Sequence, residues 1–135
     1  MFCPILSADM LPWVRVASMA DATLLHLGPL IEGLERDLGI SEVIIARALD
    51  VERRTVERWR SGQSLPQGRA RHHLAELVSF RDRLLSLCGS PEVAQEWLRA
   101  SSRYLGGFTP EEALKAGRLD RARADLDGLT AGVYL

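Results

Sequence analysis

Residues 39–66 read GISEVIIARALDVERRTVERWRSGQSLP, and the spacing of apolar positions along this stretch decides the fold. It predicts two short helices crossing at a tight turn, a helix-turn-helix. Ser41 is placed to cap the first helix, since its hydroxyl can accept from a backbone amide of the first turn. Ile44, Ile45, Ala48 and Leu49 then make an inward stripe, with Asp50 and Val51 forming the turn. The second helix turns Thr55, Val56 and Trp59 inward. Arg53, Arg54, Glu57, Arg58 and Arg60 are left on its outer surface. With Thr55 they are the candidate DNA contacts, because a recognition helix presents such side chains to a major groove and its phosphates.

The stretch resembles the helix-turn-helix of Cro/C1-type (Xre-like) repressors, which carry a small residue where Ala46 stands and a Gly and Pro after the second helix, matched here by Gly62 and Pro66. That family often has Gly at the turn position held here by Asp50, a residue that adopts the left-handed conformation only at some cost.

Charge is distributed unevenly along a chain whose net charge is only −1. From Met1 to Ala46 there are two Arg against six acids, whereas from Arg47 to Arg71 there are seven Arg against three acids. A basic band inside an otherwise acidic chain is the electrostatic footprint expected of a small DNA-binding module. A solvated helix face with pairs such as Glu52 and Arg53 would give the same count, and the helix-turn-helix spacing favours DNA. The skew of sixteen Arg to one Lys, Lys115, carries little weight because genomic codon usage produces it equally well.

With 135 residues, 47% hydrophobic and 26% charged, the chain has the make-up of an ordered globular protein with one good core or two small ones. The longest uncharged run, Ala22 to Ile31, is about half the ~20 residues a membrane helix needs and includes His26, Gly28 and Pro29. The first residues lack both a basic leader and a long apolar stretch, so no secretory signal is expected and the cytoplasm is the expected location. Cys3 and Cys88 stand apart without a Cys-x-x-Cys pairing, which fits isolated reduced thiols.

No strand-like alternation of useful length appears, and the fold class expected is all-α. Three segments follow: a weakly defined extension over 1–28, a helix-turn-helix domain over 29–89 and a small helical domain over 90–135. Pro12 and the run with Trp13, Val14, Val16 and Met19 suit an extra helix or an arm. Pro29 opens a helix with Leu30, Ile31, Leu34 and Leu38 on one side, stopped by Gly39. A longer helix is expected from about Arg69 to Cys88, with Leu74, Leu77, Val78, Leu84 and Leu85 inward, broken by Gly89, Ser90 and Pro91. Pro91 to Ala100 should form a short helix and the following Ser-Ser-Arg-Tyr-Leu-Gly-Gly-Phe a loop. Thr109-Pro110-Glu111-Glu112 is a helix start with hydroxyl cap, first-position proline and a carboxylate three residues on. That helix ends at Gly117, and Leu119, Ala122, Leu126 and Leu129 give the last helix an apolar seam.

Catalytic chemistry finds no footing. Gly62-Gln63-Ser64-Leu65-Pro66 half resembles a nucleophile elbow but follows a helix where a strand is needed. His72 and His73 are adjacent and point about 100° apart on a helix, so they make no metal pair, and His72 with Glu76 reads as a surface contact. There is no Gly-rich phosphate loop. The chain is expected to be no enzyme, with no cofactor and no metal.

Trp97-Leu98-Arg99, Leu105-Gly106-Gly107, Thr109-Pro110, Leu114, Gly117-Arg118 and Gly132-Val133-Tyr134 resemble, in order and spacing, the toxin-binding domain of the Xre/MbcA/ParS antitoxins. With the helix-turn-helix, the resemblance covers about three quarters of the chain. Members often carry Pro-Asn before the Leu-Gly-Gly, where this chain has Ser101-Ser102, so Ser102 would have to substitute for that Asn. The resemblance implies an antitoxin of a type II toxin-antitoxin system. Its partner would be a RES-domain toxin that degrades NAD, covered at its active site by the carboxy-terminal domain. The helix-turn-helix would bind operator DNA and repress the operon, with a homodimer inside a larger toxin-antitoxin complex. The residues implicated in toxin binding are Trp97, Arg103, Tyr104, Leu105, Gly106, Gly107, Gly132, Val133, Tyr134 and Leu135. Gly128 to Leu135 carries no charged side chain and ends on Val133, Tyr134 and Leu135, so it could enter a pocket at small desolvation cost, with Tyr134 stacking there. A stand-alone helix-turn-helix repressor with a carboxy-terminal dimerisation domain is the alternative, and an interaction protein with a vestigial helix-turn-helix is a third.

Overall fold

The computed structural model describes residues 27–130, and over that range it holds seven helices and no strand. The arm read from Pro12 to Met19 and the tail from residue 131 onward lie outside the described residues. In chain order the helices are α1 (Leu27–Leu38), α2 (Glu42–Leu49), α3 (Arg53–Arg60), α4 (Gly68–Cys88), α5 (Pro91–Leu98), α6 (Pro110–Lys115) and α7 (Leu119–Thr130).

Local chemistry sets most of the boundaries. Ser41 Oγ accepts from the Ile44 amide at 3.4 Å and starts α2. Asp50 ends it in the left-handed region at φ 58° and ψ 46°, so that the Val51 amide reaches back to the Ala46 carbonyl at 3.0 Å. No other described non-glycine residue has a positive φ. Ser90 caps α5 through the Val93 amide, with Pro91 in the first turn. At α6 the Thr109 hydroxyl accepts from the Glu112 amide at 3.0 Å, while Glu112 accepts from the Thr109 amide at 2.9 Å. This reciprocal box satisfies two amides that the helix itself cannot.

One cluster of buried side chains runs through all seven helices. Ile31, Leu34 and Leu38 of α1, Ile45 and Leu49 of α2 and Val56 of α3 meet Leu77 and Leu84 of α4, and Leu98, Leu114 and Leu126 continue the cluster to α7. Phe80, which the α4 spacing did not single out, is buried as well. The segments on either side of Gly89 therefore share a core: α5 packs on α1, α6 on α2 and α7 on α4.

Two polar contacts fasten that return. Gln95 Nε2 donates to the Arg36 carbonyl at 3.1 Å and Arg99 Nη2 to the Gly39 carbonyl at 3.4 Å, so side chains in and just after α5 satisfy carbonyls in and just after the last turn of α1. Gly39 sits at φ 64°, and a Cβ there would come within 2.9 Å of the Gln95 and Arg99 side chains. A side chain at this corner would be strained by the backbone and would push the Gln95 and Arg99 side chains aside.

Candidate nucleic-acid and protein interfaces

Helix α3 buries Val56 and Trp59 and leaves Thr55 half-buried, which fixes what its other residues can reach. Arg54, Glu57 and Arg58 point to solvent and, with Ser61 and Gln63, border a shallow depression. Arg54 and Arg58 lie one turn apart, and neither makes an ion pair with another described residue.

Arg53 and Arg60 are placed differently. Arg53 pairs with Glu42 at 3.2 Å and with Glu57 at 3.3 Å. Arg60, expected on the outer surface, is half-buried and turned toward α1 and α2, where it pairs with Glu35 and, at 3.1 Å, with Glu42. Its buried Nε lacks a hydrogen-bond partner. Glu42 thus holds two arginines of α3 at once, one on each side. Spacing along α3 could not reveal this, since position 60 becomes inward only through where α1 lies.

The carboxy-terminal candidates divide in the same way. Trp97 is half-buried, its ring 6.3 Å from that of Phe80 at an interplanar angle of 49°. Leu105 packs on the core, whereas Arg103, Tyr104, Gly106 and Gly107 are exposed. Their loop is closed by two backbone bonds, Ser102 donating to the Phe108 carbonyl at 2.9 Å and Gly107 to the Ser102 carbonyl at 2.8 Å. Gly106 and Gly107 take φ of 71° and 95°, which the closure requires. Ser102 Oγ also donates to Asp125 Oδ1 at 2.9 Å. Asp125 is a buried acid that sequence reading did not single out; its position three residues past Ala122, beside the apolar seam, was the available signal. Beside it a cleft of about 230 Å³ opens between Trp97, Arg103 and Leu129. Gly132, Val133, Tyr134 and Leu135 lie outside the described residues.

At the start of α7 the Arg118 guanidinium donates to both carboxylate oxygens of Asp120 at 3.1 and 3.0 Å and holds that carboxyl below its usual range. Burial pushes the Cys88 thiol up, which makes it a weaker nucleophile. His72 meets Glu76 at 3.5 Å and His73 lies 3.2 Å from the Leu49 carbonyl. Among the described residues no group of His, Cys, Asp and Glu could hold a metal ion, and no helix is long and apolar enough to cross a membrane.

No model of a known protein family matches the chain. Individual proteins do, and they define a class: the chain is homologous to antitoxins of toxin-antitoxin pairs. The particular relatives are the mycobacterial cidal antitoxins MbcA of Mycobacterium bovis and Mycobacterium tuberculosis, each 27% identical over 109 residues, 81% of this chain and 96% of the relative. A probable mycobacterial cidal antitoxin of M. tuberculosis, Rv3188, is 29% identical over 102 residues, 74% of this chain and 84% of that protein. In three dimensions the chain matches a chain of the crystal structure of the M. tuberculosis MbcT-MbcA toxin-antitoxin complex, with a TM-score of 0.56 and 27% identity over 81% of this chain and 97% of that one. The all-α architecture agrees with that of the antitoxin.

Proposed function

We propose that this chain is the antitoxin of a type II toxin-antitoxin pair, that it neutralises a RES-domain, NAD-degrading toxin, and that it represses its own operon. The observation that carries the reading is the match to an antitoxin solved in complex with its toxin, which spans 97% of that chain. The chain acts in the cytoplasm, as a binding protein with no catalysis of its own.

Neutralisation falls to the carboxy-terminal segment. Arg103, Tyr104, Gly106 and Gly107 offer an exposed loop of fixed shape, with Leu105 and Trp97 packed behind it. The uncharged Gly132-Val133-Tyr134-Leu135 enters the toxin's nucleotide cleft, Tyr134 stacking where a cofactor ring would lie. Repression falls to α2 and α3: Arg54 and Arg58 contact DNA from the exposed face, and two copies are presented to two operator half-sites.

The test is co-expression with the protein encoded by the adjacent reading frame. The chain should co-purify with it and preserve cellular NAD, while a variant lacking Gly132 to Leu135 should leave NAD falling. A neighbour that neither binds the chain nor consumes NAD would overturn the reading. A truncated chain that still binds and fully silences the toxin would overturn the plug alone.

A further inference from the structure

Two exposed surfaces away from α3, the first of them bordered by the Leu105–Phe108 side of the loop, carry opposite charge, and each presents an apolar side chain to water. The first is a groove of about 640 Å³ between α2, the loop and α6. Its floor includes Val43 and Phe108, which are 42% and 62% exposed. Arg47, Lys115, Arg118 and Arg121 stand around it, and only Arg118 is neutralised by an ion pair among the described residues, through Asp120. The one carboxylate in the lining, Glu112, is turned back into the capping box of α6. An aromatic ring left in water beside unpaired cations is a surface short of a partner.

The second surface is the outer side of α5. Glu92 and Glu96 are exposed one turn apart, with Val93 beside them at 44% exposure. Neither glutamate makes an ion pair with another described residue. The cation nearest in the sequence, Arg99, is turned to the Gly39 carbonyl at 3.4 Å.

We propose that the groove of one copy receives the α5 face of a second copy, Val93 seating against Phe108 and Val43 while Glu92 and Glu96 meet Arg47, Lys115 and Arg121. The two surfaces are complementary in both respects: each sets an exposed apolar side chain beside charges of one sign, and the two signs are opposite. DNA would answer the cations but not cover the ring. The contact joins two different patches, so it is head-to-tail, and copies add in one sense until a ring closes. It is charge-steered and therefore weakens with salt.

Sedimentation velocity on the full chain, without toxin or DNA, tests this by charge reversal. The wild type should self-associate with rising concentration in 50 mM salt and dissociate in 500 mM. K115E/R121E, with an acidic groove, and E92K/E96K, with a basic α5, should each remain monomeric at tenfold higher concentration, with unchanged circular dichroism and melting. Mixing the two should restore assembly, because an acidic groove then meets a basic helix. A wild type that stays monomeric throughout, reversed variants that associate as well as the wild type, or a mixture that remains monomeric would each overturn the proposal. So would loss of DNA or toxin binding in K115E/R121E without any change in self-association, which would give the groove to that partner.

Discussion

Ser102 Oγ donates a 2.9 Å hydrogen bond to Asp125 Oδ1, joining the loop before α6 to the middle of α7. Asp125 is 3% exposed, the sole buried charged residue among those described. A carboxylate at such a site holds its place through the hydrogen bonds it accepts, and removing a donor leaves part of its desolvation cost uncompensated. Ser102 also shapes the loop through its backbone, so one residue couples loop conformation to helix packing.

Ser102→Ala should therefore lower stability by about 1–3 kcal/mol, read as a shift in denaturant midpoint. Limited proteolysis should cut faster between Arg103 and Gly107 in the variant. Toxin affinity should fall with loop order, since a loosened loop has to be ordered on binding. A Ser102→Ala protein that is as stable and as protease-resistant as the wild type would refute the coupling.

Helix α3 leads to a separation of roles among four arginines. Arg54→Ala and Arg58→Ala should each weaken operator binding and reduce the slope of log affinity against log salt by about 1, the signature of one lost phosphate contact. Arg60→Ala should leave the salt slope unchanged but destabilise the fold by about 1 kcal/mol, because Glu35 and Glu42 lose their shared partner. Arg53→Ala should resemble Arg60→Ala more than Arg54→Ala. Equal salt slopes for all four variants, measured by fluorescence anisotropy on the operator duplex, would remove the distinction.

Asp50 tests how much of the backbone was legible in the sequence. The turn position, the Ser41 cap and the Thr109 capping box all follow from local chemistry within four residues, and the structure has each of them. What local pattern could not supply was the third dimension. Arg60 faces inward toward Glu35, twenty-five residues away, and Asp125 is held by the Ser102 hydroxyl from twenty-three residues earlier. The return of α5 onto α1 through Gln95 and Arg99 has no periodic signal at all. At Asp50 itself the left-handed conformation disfavours a side chain, so Asp50→Gly should stabilise the protein by about 0.5–1 kcal/mol. Thermal melting checks the sign, and a lower midpoint would mean that the Asp50 side chain makes a compensating contact.

Arg118 and Asp120 set a pH dependence at the start of α7. The guanidinium lowers the Asp120 pKa in the folded chain, so the folded state binds that proton less readily than the unfolded state, whose value is about 3.9. The resulting stabilisation is fully present above that unfolded value and disappears as pH falls through the lower folded one. Asp120 also lies in the first turn of α7, where a negative charge favours the helix dipole. Both groups are largely exposed, so solvent screens the pair and the effect is small. Asp120→Asn should melt slightly below the wild type at pH 6–7, and the two melting curves should converge as the pH drops below the ordinary carboxylate range. A gap that persists unchanged into strong acid would show that Asp120 acts through its shape and hydrogen bonding, with its charge contributing nothing.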